Sequence, residues 1–133
     1  MYELSNQRRG YVFSSLNGEY RFENHKAWYL NGDYHREDGP AIIYDDGSKF
    51  WYLNGENHRE DGPAIEYFDG SKYWYLNGQR HREDGPAVER PNGAVEYWLN
   101  GKQIISKDYN SPDFQERWKK LVNLELIRQV MED

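Results

Sequence analysis

The sequence predicts a mainly β chain: a single-layer antiparallel meander of 23-residue hairpin repeats, followed by a C-terminal α-helix. Three observations carry this expectation. The stretch WYLNG, then HREDGPA, then a turn, recurs from Trp28, Trp51 and Trp74, a period of 23 residues. Each repeat holds two different turn signals. After Ser111-Pro112-Asp113 the spacing of apolar residues becomes helical.

The array is expected to fill residues 1–110. Clear units span 28–50, 51–73 and 74–96, and a partial unit spans 97–105. A degenerate unit over 5–27 precedes them, with Leu16-Asn17-Gly18 read as its LNG turn. Within a unit, Leu-Asn-Gly-x (53–56, 76–79, 99–102) predicts a two-residue type I′ hairpin, in which both central residues take positive φ. Asp45-Asp46-Gly47, Phe68-Asp69-Gly70 and Pro91-Asn92-Gly93 predict three-residue loops with Gly in the left-handed position. The segments between are rich in Tyr, Trp, Ile and Val, which favour strands.

Register follows from the turns. Leu76 is expected opposite Gln79, Tyr75 opposite Arg80, Trp74 opposite His81, Glu66 opposite Lys72 and Ala64 opposite Trp74. Alternation then places Trp74, Leu76, His81 and Ala64 on one side, with Tyr73, Tyr75, Ile65 and Arg82 on the other. Equivalent residues of successive hairpins lie about 9–10 Å apart, so the Trp and Tyr positions form two rows. The Trp/Leu row is expected to be the core.

The helix is expected over 111–133, packed on the sheet or mediating dimerisation. Ser111 is its cap, Pro112 opens the first turn, and Asp113 sits at the positive end. Phe114, Trp118, Leu121 and Val122 form one stripe. Leu124, Ile127, Val130 and Met131 form a second, phase-shifted one, so that either the helix breaks near Asn123 or its second half meets another surface, such as a second copy in a homodimer. At about 30 Å it is nearly as long as the four-hairpin sheet, at about 38 Å.

Composition bounds the function. Twelve Tyr and five Trp supply buried area without raising hydropathy, which reconciles a polar chain with a folded one. The absence of cysteine excludes disulfides and thiolate chemistry. No apolar run is long enough to span a bilayer, and MYELSNQRRG lacks the order of a secretory signal, so a soluble cytoplasmic protein is expected. A net charge of −6 argues against binding duplex DNA through its phosphates.

HREDGPA has a chemical reading and a structural one. His35, His58 and His81 are too far apart for one metal, and each copy would need its own ligand set. No catalytic signature is evident, so no enzyme, metal or cofactor is expected. In the structural reading, Gly39, Gly62 and Gly85, each before Pro, allow a bulge in the return strand, while the acidic residues pair with Arg. The exposed row is the candidate partner surface: Tyr29, Tyr52, Tyr75 and Tyr73, with Arg36, Arg59 and Arg82 between them. The helix candidates are Leu124, Ile127, Val130 and Met131.

The spacing W-x-x-N-G-x-x-H, then Gly, then Tyr-x-Asp-Gly-Ser, resembles the MORN repeat. It is most similar to the bacterial and phage variant carrying Y-L-N-G-x-x-H-R-E-D-G-P-A, over residues 16–105. The chain departs from the standard unit in the Arg-Glu-Asp after His and in a strand that lacks its Gly. The resemblance implies the hairpin array. It also implies a small phage-encoded protein in the host cytoplasm that inhibits a host enzyme or defence complex, such as a nuclease, in the manner of an anti-CRISPR. Lipid binding, a role in some MORN proteins, is not carried over, because no basic stripe is present. A sponge that stacks a nucleotide between Tyr and Arg is the second expectation, and a purely structural scaffold the third.

Overall fold

The computed structural model describes residues 2–3 and 16–132. They form a mainly β chain of antiparallel hairpins with one C-terminal helix, as the repeat predicts. Strand β1 (Tyr2–Glu3) departs from the meander: it pairs in parallel with β2 (Gly18–Arg21), Tyr2 opposite Tyr20. Strand β3 (His25–Leu30) turns into β4 (Asp33–Tyr34), and β5 (Ile42–Tyr44) returns along β3. The second unit repeats this with β6 (Lys49–Phe50), β7 (Tyr52–Leu53), β8 (Glu56–Asn57) and β9 (Ile65–Glu66). The third has β10 (Lys72–Tyr73), β11 (Tyr75–Leu76), β12 (Gln79–Arg80) and β13 (Val88–Glu89). The path ends in β14 (Val95–Leu99) and β15 (Lys102–Ile104), followed by α1 (Pro112–Glu132).

The turns are those the sequence predicts. Asn31, Asn54, Asn77 and Asn100 have φ of 48–51°, and the Gly after each also has positive φ, the type I′ requirement. Gly47, Gly70 and Gly93 close the other loops with φ of 88–97°. The predicted register holds: Tyr75 pairs with Arg80, Leu76 with Gln79, and Glu66 with Lys72. The upstream turn is a correction. Leu16-Asn17-Gly18 is no type I′ tip, since Asn17 lacks the positive φ of Asn31, Asn54, Asn77 and Asn100; residues 5–15 of the degenerate unit 5–27 lie outside the described residues.

The return strand is interrupted. The Trp51 carbonyl accepts the His58 N–H, and the Trp51 N–H donates to the Ala64 carbonyl. The five residues between His58 and Ala64 thus leave and rejoin the ladder at a single Trp. Trp28 and Trp74 are used the same way, by His35 with Ala41 and by His81 with Ala87. The predicted bulge is therefore a whole loop.

That loop overturns the expected faces. Leaving the ladder breaks the two-residue alternation, so Arg36, Arg59 and Arg82 do not join the tyrosines. Each lies on the opposite side, its Cζ 3.8, 3.9 and 4.0 Å from the ring centres of Trp28, Trp51 and Trp74. The core assignment is corrected as well. In the first two units the core lies on the Tyr side, where Leu16, Phe22, Ala27, Tyr29 and Ile42 are buried and Tyr34, Tyr44, Phe50 and Tyr52 pack against them. Edge-to-face contacts run from Tyr44 through Phe50 and Tyr67 to Tyr73, at centroid spacings of 5.5–5.6 Å.

The helix is unbroken from Pro112 to Glu132. Ser111 Oγ accepts the Phe114 N–H and caps it. It covers the last unit, where Phe114 and Trp118 are buried with Tyr97 and Leu99 and Leu121 and Val122 pack beside them, and Trp118 reaches back to the third unit at Glu83. Its second half leaves Leu124, Ile127, Val130 and Met131 exposed.

Candidate functional site

The HREDGP loops stand in file on the Trp side, and each of their residues has a defined role in building that surface. The His58 Nδ1 accepts the Asn77 N–H of the next unit at 2.9 Å, and His35 and His81 do the same for Asn54 and Asn100. Accepting at Nδ1 fixes the tautomer with the proton on Nε2, which faces Glu37, Glu60 or Glu83 at 3.2–3.7 Å. An imidazole so engaged has no lone pair left for a metal. Among the described residues, no group of three or more metal-ligating side chains is placed to hold an ion.

The arginine of each loop is used on every side. Arg59 Nε donates to Asp61 at 3.0 Å and Nη1 to the Pro63 carbonyl at 3.1 Å, while its plane lies on Trp51. Arg36 and Arg82 repeat this with Asp38 and Pro40, and with Asp84 and Pro86. The Arg36 guanidinium, by hydrogen bond and by charge, holds the Asp38 carboxyl below its usual range. Glycine follows Asp because a Cβ at Gly62 would lie 3.0 Å from Arg59 Cζ.

Between successive loops the sheet is open. The first groove, about 750 Å³, has Trp51 and Leu53 as its floor, Arg36 to Pro40 as one wall and His58 to Asp61 as the other. The second, about 630 Å³, repeats it 23 residues on, with Trp74 and Leu76 between the loops at 59–62 and 81–84. Their rims are acidic. The side chains of Glu37, Asp38, Glu60, Asp61 and Asp84 are 83–87% exposed, and among the described residues the cations lining either groove are arginines already paired with aspartate.

The site residues expected from sequence are thus divided between the two sides. Tyr29 is buried at 7% exposure, and Tyr52, Tyr73 and Tyr75 are half-buried on the Tyr side. Burial, with neighbouring phenols adding, raises the Tyr52 hydroxyl above its ordinary range, although Asn57 works against it. The arginine that does stand among these rings is Arg80, which donates to Tyr75 Oη at 3.1 Å and lies over Tyr73 and Trp98. Arg36, Arg59 and Arg82 belong to the grooves instead. Sequence reasoning missed Leu53, Leu76, Glu37 and Glu60 as site residues. Their signal was the Leu of each Leu-Asn-Gly turn and the Glu two residues after each His, recurring in every unit.

Set against family models, curated proteins and solved structures, the chain matches none of them. No helix among the described residues is long and apolar enough to cross a membrane.

Proposed function

We propose that this protein is a non-catalytic protein-interaction module whose working surface is the Trp side of the array. The supporting observation is the pair of consecutive open grooves, each with an apolar floor and an acidic rim. Repetition at about 10 Å intervals suits a continuous partner surface better than a single reaction centre. The rim favours a basic partner through complementary potential. A nuclease that binds nucleic acid through a basic channel has that character, so inhibition of a bacterial defence nuclease by a phage-encoded protein is the concrete form of the proposal.

Nucleotide capture is the weaker reading. Its phosphates would meet the acidic rim, and the arginines facing the grooves already serve Asp38, Asp61 and Asp84.

The test is capture from nuclease-treated bacterial lysate with the native protein and with Glu37→Lys combined with Glu60→Lys. Both positions are exposed, so the fold is expected to survive, as checked by circular dichroism. A specific protein retained by the native chain and lost by the variant supports the proposal. Equal retention by both removes the grooves from it.

A further inference from the structure

The groove series has a third member, and the chain fills it itself. Position 97 continues the series Trp28, Trp51, Trp74 but is Tyr, and position 105 continues Arg36, Arg59, Arg82 but is Ile. Ile105 is exposed, and α1 takes the place of the missing arginine. Phe114 and Trp118, one helical turn apart, each stand edge-on to Tyr97 with centroids 4.8 Å away. Trp118 Nε1 donates to the Glu83 carbonyl of the third loop at 3.2 Å. Both rings are almost wholly buried, at 2% and 4% exposure. Leu121 and Val122 then pack on the cluster that contains Leu99, the counterpart of Leu53 and Leu76.

The open grooves repeat the acceptor and the floor leucine, with Arg59 and Arg82 lying on Trp51 and Trp74 where the rings of α1 lie on Tyr97. The carbonyls corresponding to that of Glu83 are those of Glu37 and Glu60, and neither accepts a hydrogen bond from a described residue. Covering also changes the loop: Glu83 is 34% exposed, against 83% and 85% for Glu37 and Glu60. The two grooves share the loop at 59–61 as a wall, since equivalent strands recur at about 9–10 Å.

We propose that each open groove takes an amphipathic helix of a partner protein that carries two aromatic residues one turn apart. The second of these is a ring with an N–H, which donates to the Glu37 or Glu60 carbonyl as Trp118 does to Glu83. The outer face of that helix is basic, to match the rims. The first half of α1 has this character itself, with Arg117, Lys119 and Lys120 against Asp113 and Glu116. This inference rests on the protein-interaction reading and specifies the partner's chemistry.

The probe is a peptide copying residues 111–123, held helical by a lactam between Glu116 and Lys120, two exposed positions one turn apart. Added to the full chain, it is followed by the indole N–H signals of Trp51, Trp74 and Trp118 in heteronuclear NMR. The expected result is movement of Trp51 and Trp74 with Trp118 unchanged, and at least about tenfold weaker binding by a peptide carrying Trp118→Ala. Movement confined to Trp118 means exchange with α1 and overturns the proposal, as does no movement at millimolar peptide. Concentration-dependent movement without peptide assigns the grooves to a second copy and likewise overturns it. If lysate capture depends on Glu37 and Glu60 while the peptide fails, the helical partner is wrong and the interaction reading stands. If both fail, the interaction reading falls as well.

Discussion

His58 stands at the junction of two repeats, and its value lies in one lone pair. Nδ1 holds the Asn77 N–H, so His58→Ala is expected to lower the unfolding free energy by about 1 kcal/mol in urea. His58→Asn is expected to recover most of that loss. The chain already makes this exchange upstream, where Asn17 Oδ1 accepts the Asn31 N–H at 2.9 Å. Gly62 tests the arginine stack. A Cβ there would meet Arg59 Cζ at 3.0 Å, so Gly62→Ala should cost about 1–3 kcal/mol and alter the Trp51 fluorescence as the guanidinium shifts. Glu96, one of the carboxyls held below their ordinary range, contributes to acid sensitivity. Burial works to raise its carboxyl, but the Trp98 indole N–H, Arg90 and Arg80 outweigh it and hold it below the ordinary 4.5. A depressed folded value gives stability that is present above the unfolded value and lost as pH falls through the folded one. Stability should therefore decline below about pH 4.5, and Glu96→Gln should flatten that decline in urea titrations from pH 7 to pH 3.

Among the elements, α1 divides into a half that closes the array and a half that leaves Leu124, Ile127, Val130 and Met131 exposed, tied to the sheet where Glu125 accepts from the Asn100 side chain. Trp118→Ala is expected to cost about 3–5 kcal/mol by thermal or urea unfolding, since the indole is buried against Tyr97 and bonded to Glu83. Replacing Leu124, Ile127, Val130 and Met131 together by Ser should shift stability by only about 0.5 kcal/mol. The hairpins were legible because Asn-Gly and the loop glycines are demanded by positive φ, and a turn of known length sets the pairing beyond it. Hence Tyr75 opposite Arg80 followed from residues alone. The side on which Arg59 lies did not, because a loop that leaves and rejoins the ladder at Trp51 resets the alternation. The placement of α1 was hidden for a related reason. Tyr97 and Ile105 look like ordinary wear in a last repeat until the Trp–Arg stack they replace is known.

At the scale of the molecule the array is one-dimensional, each unit resting on its neighbours through the same few bonds. One end is closed by α1, and the two grooves before it keep the floor leucine and the acceptor carbonyl that α1 uses in the third. The Tyr side offers a rival surface of half-buried rings. The most direct measurement compares two variants by capture from the same nuclease-treated lysate: Glu37→Lys with Glu60→Lys, and Tyr52→Ala with Tyr75→Ala. The account predicts that a specific protein is lost with the first and kept with the second. Loss with the second alone would contradict it and move the working surface to the tyrosines.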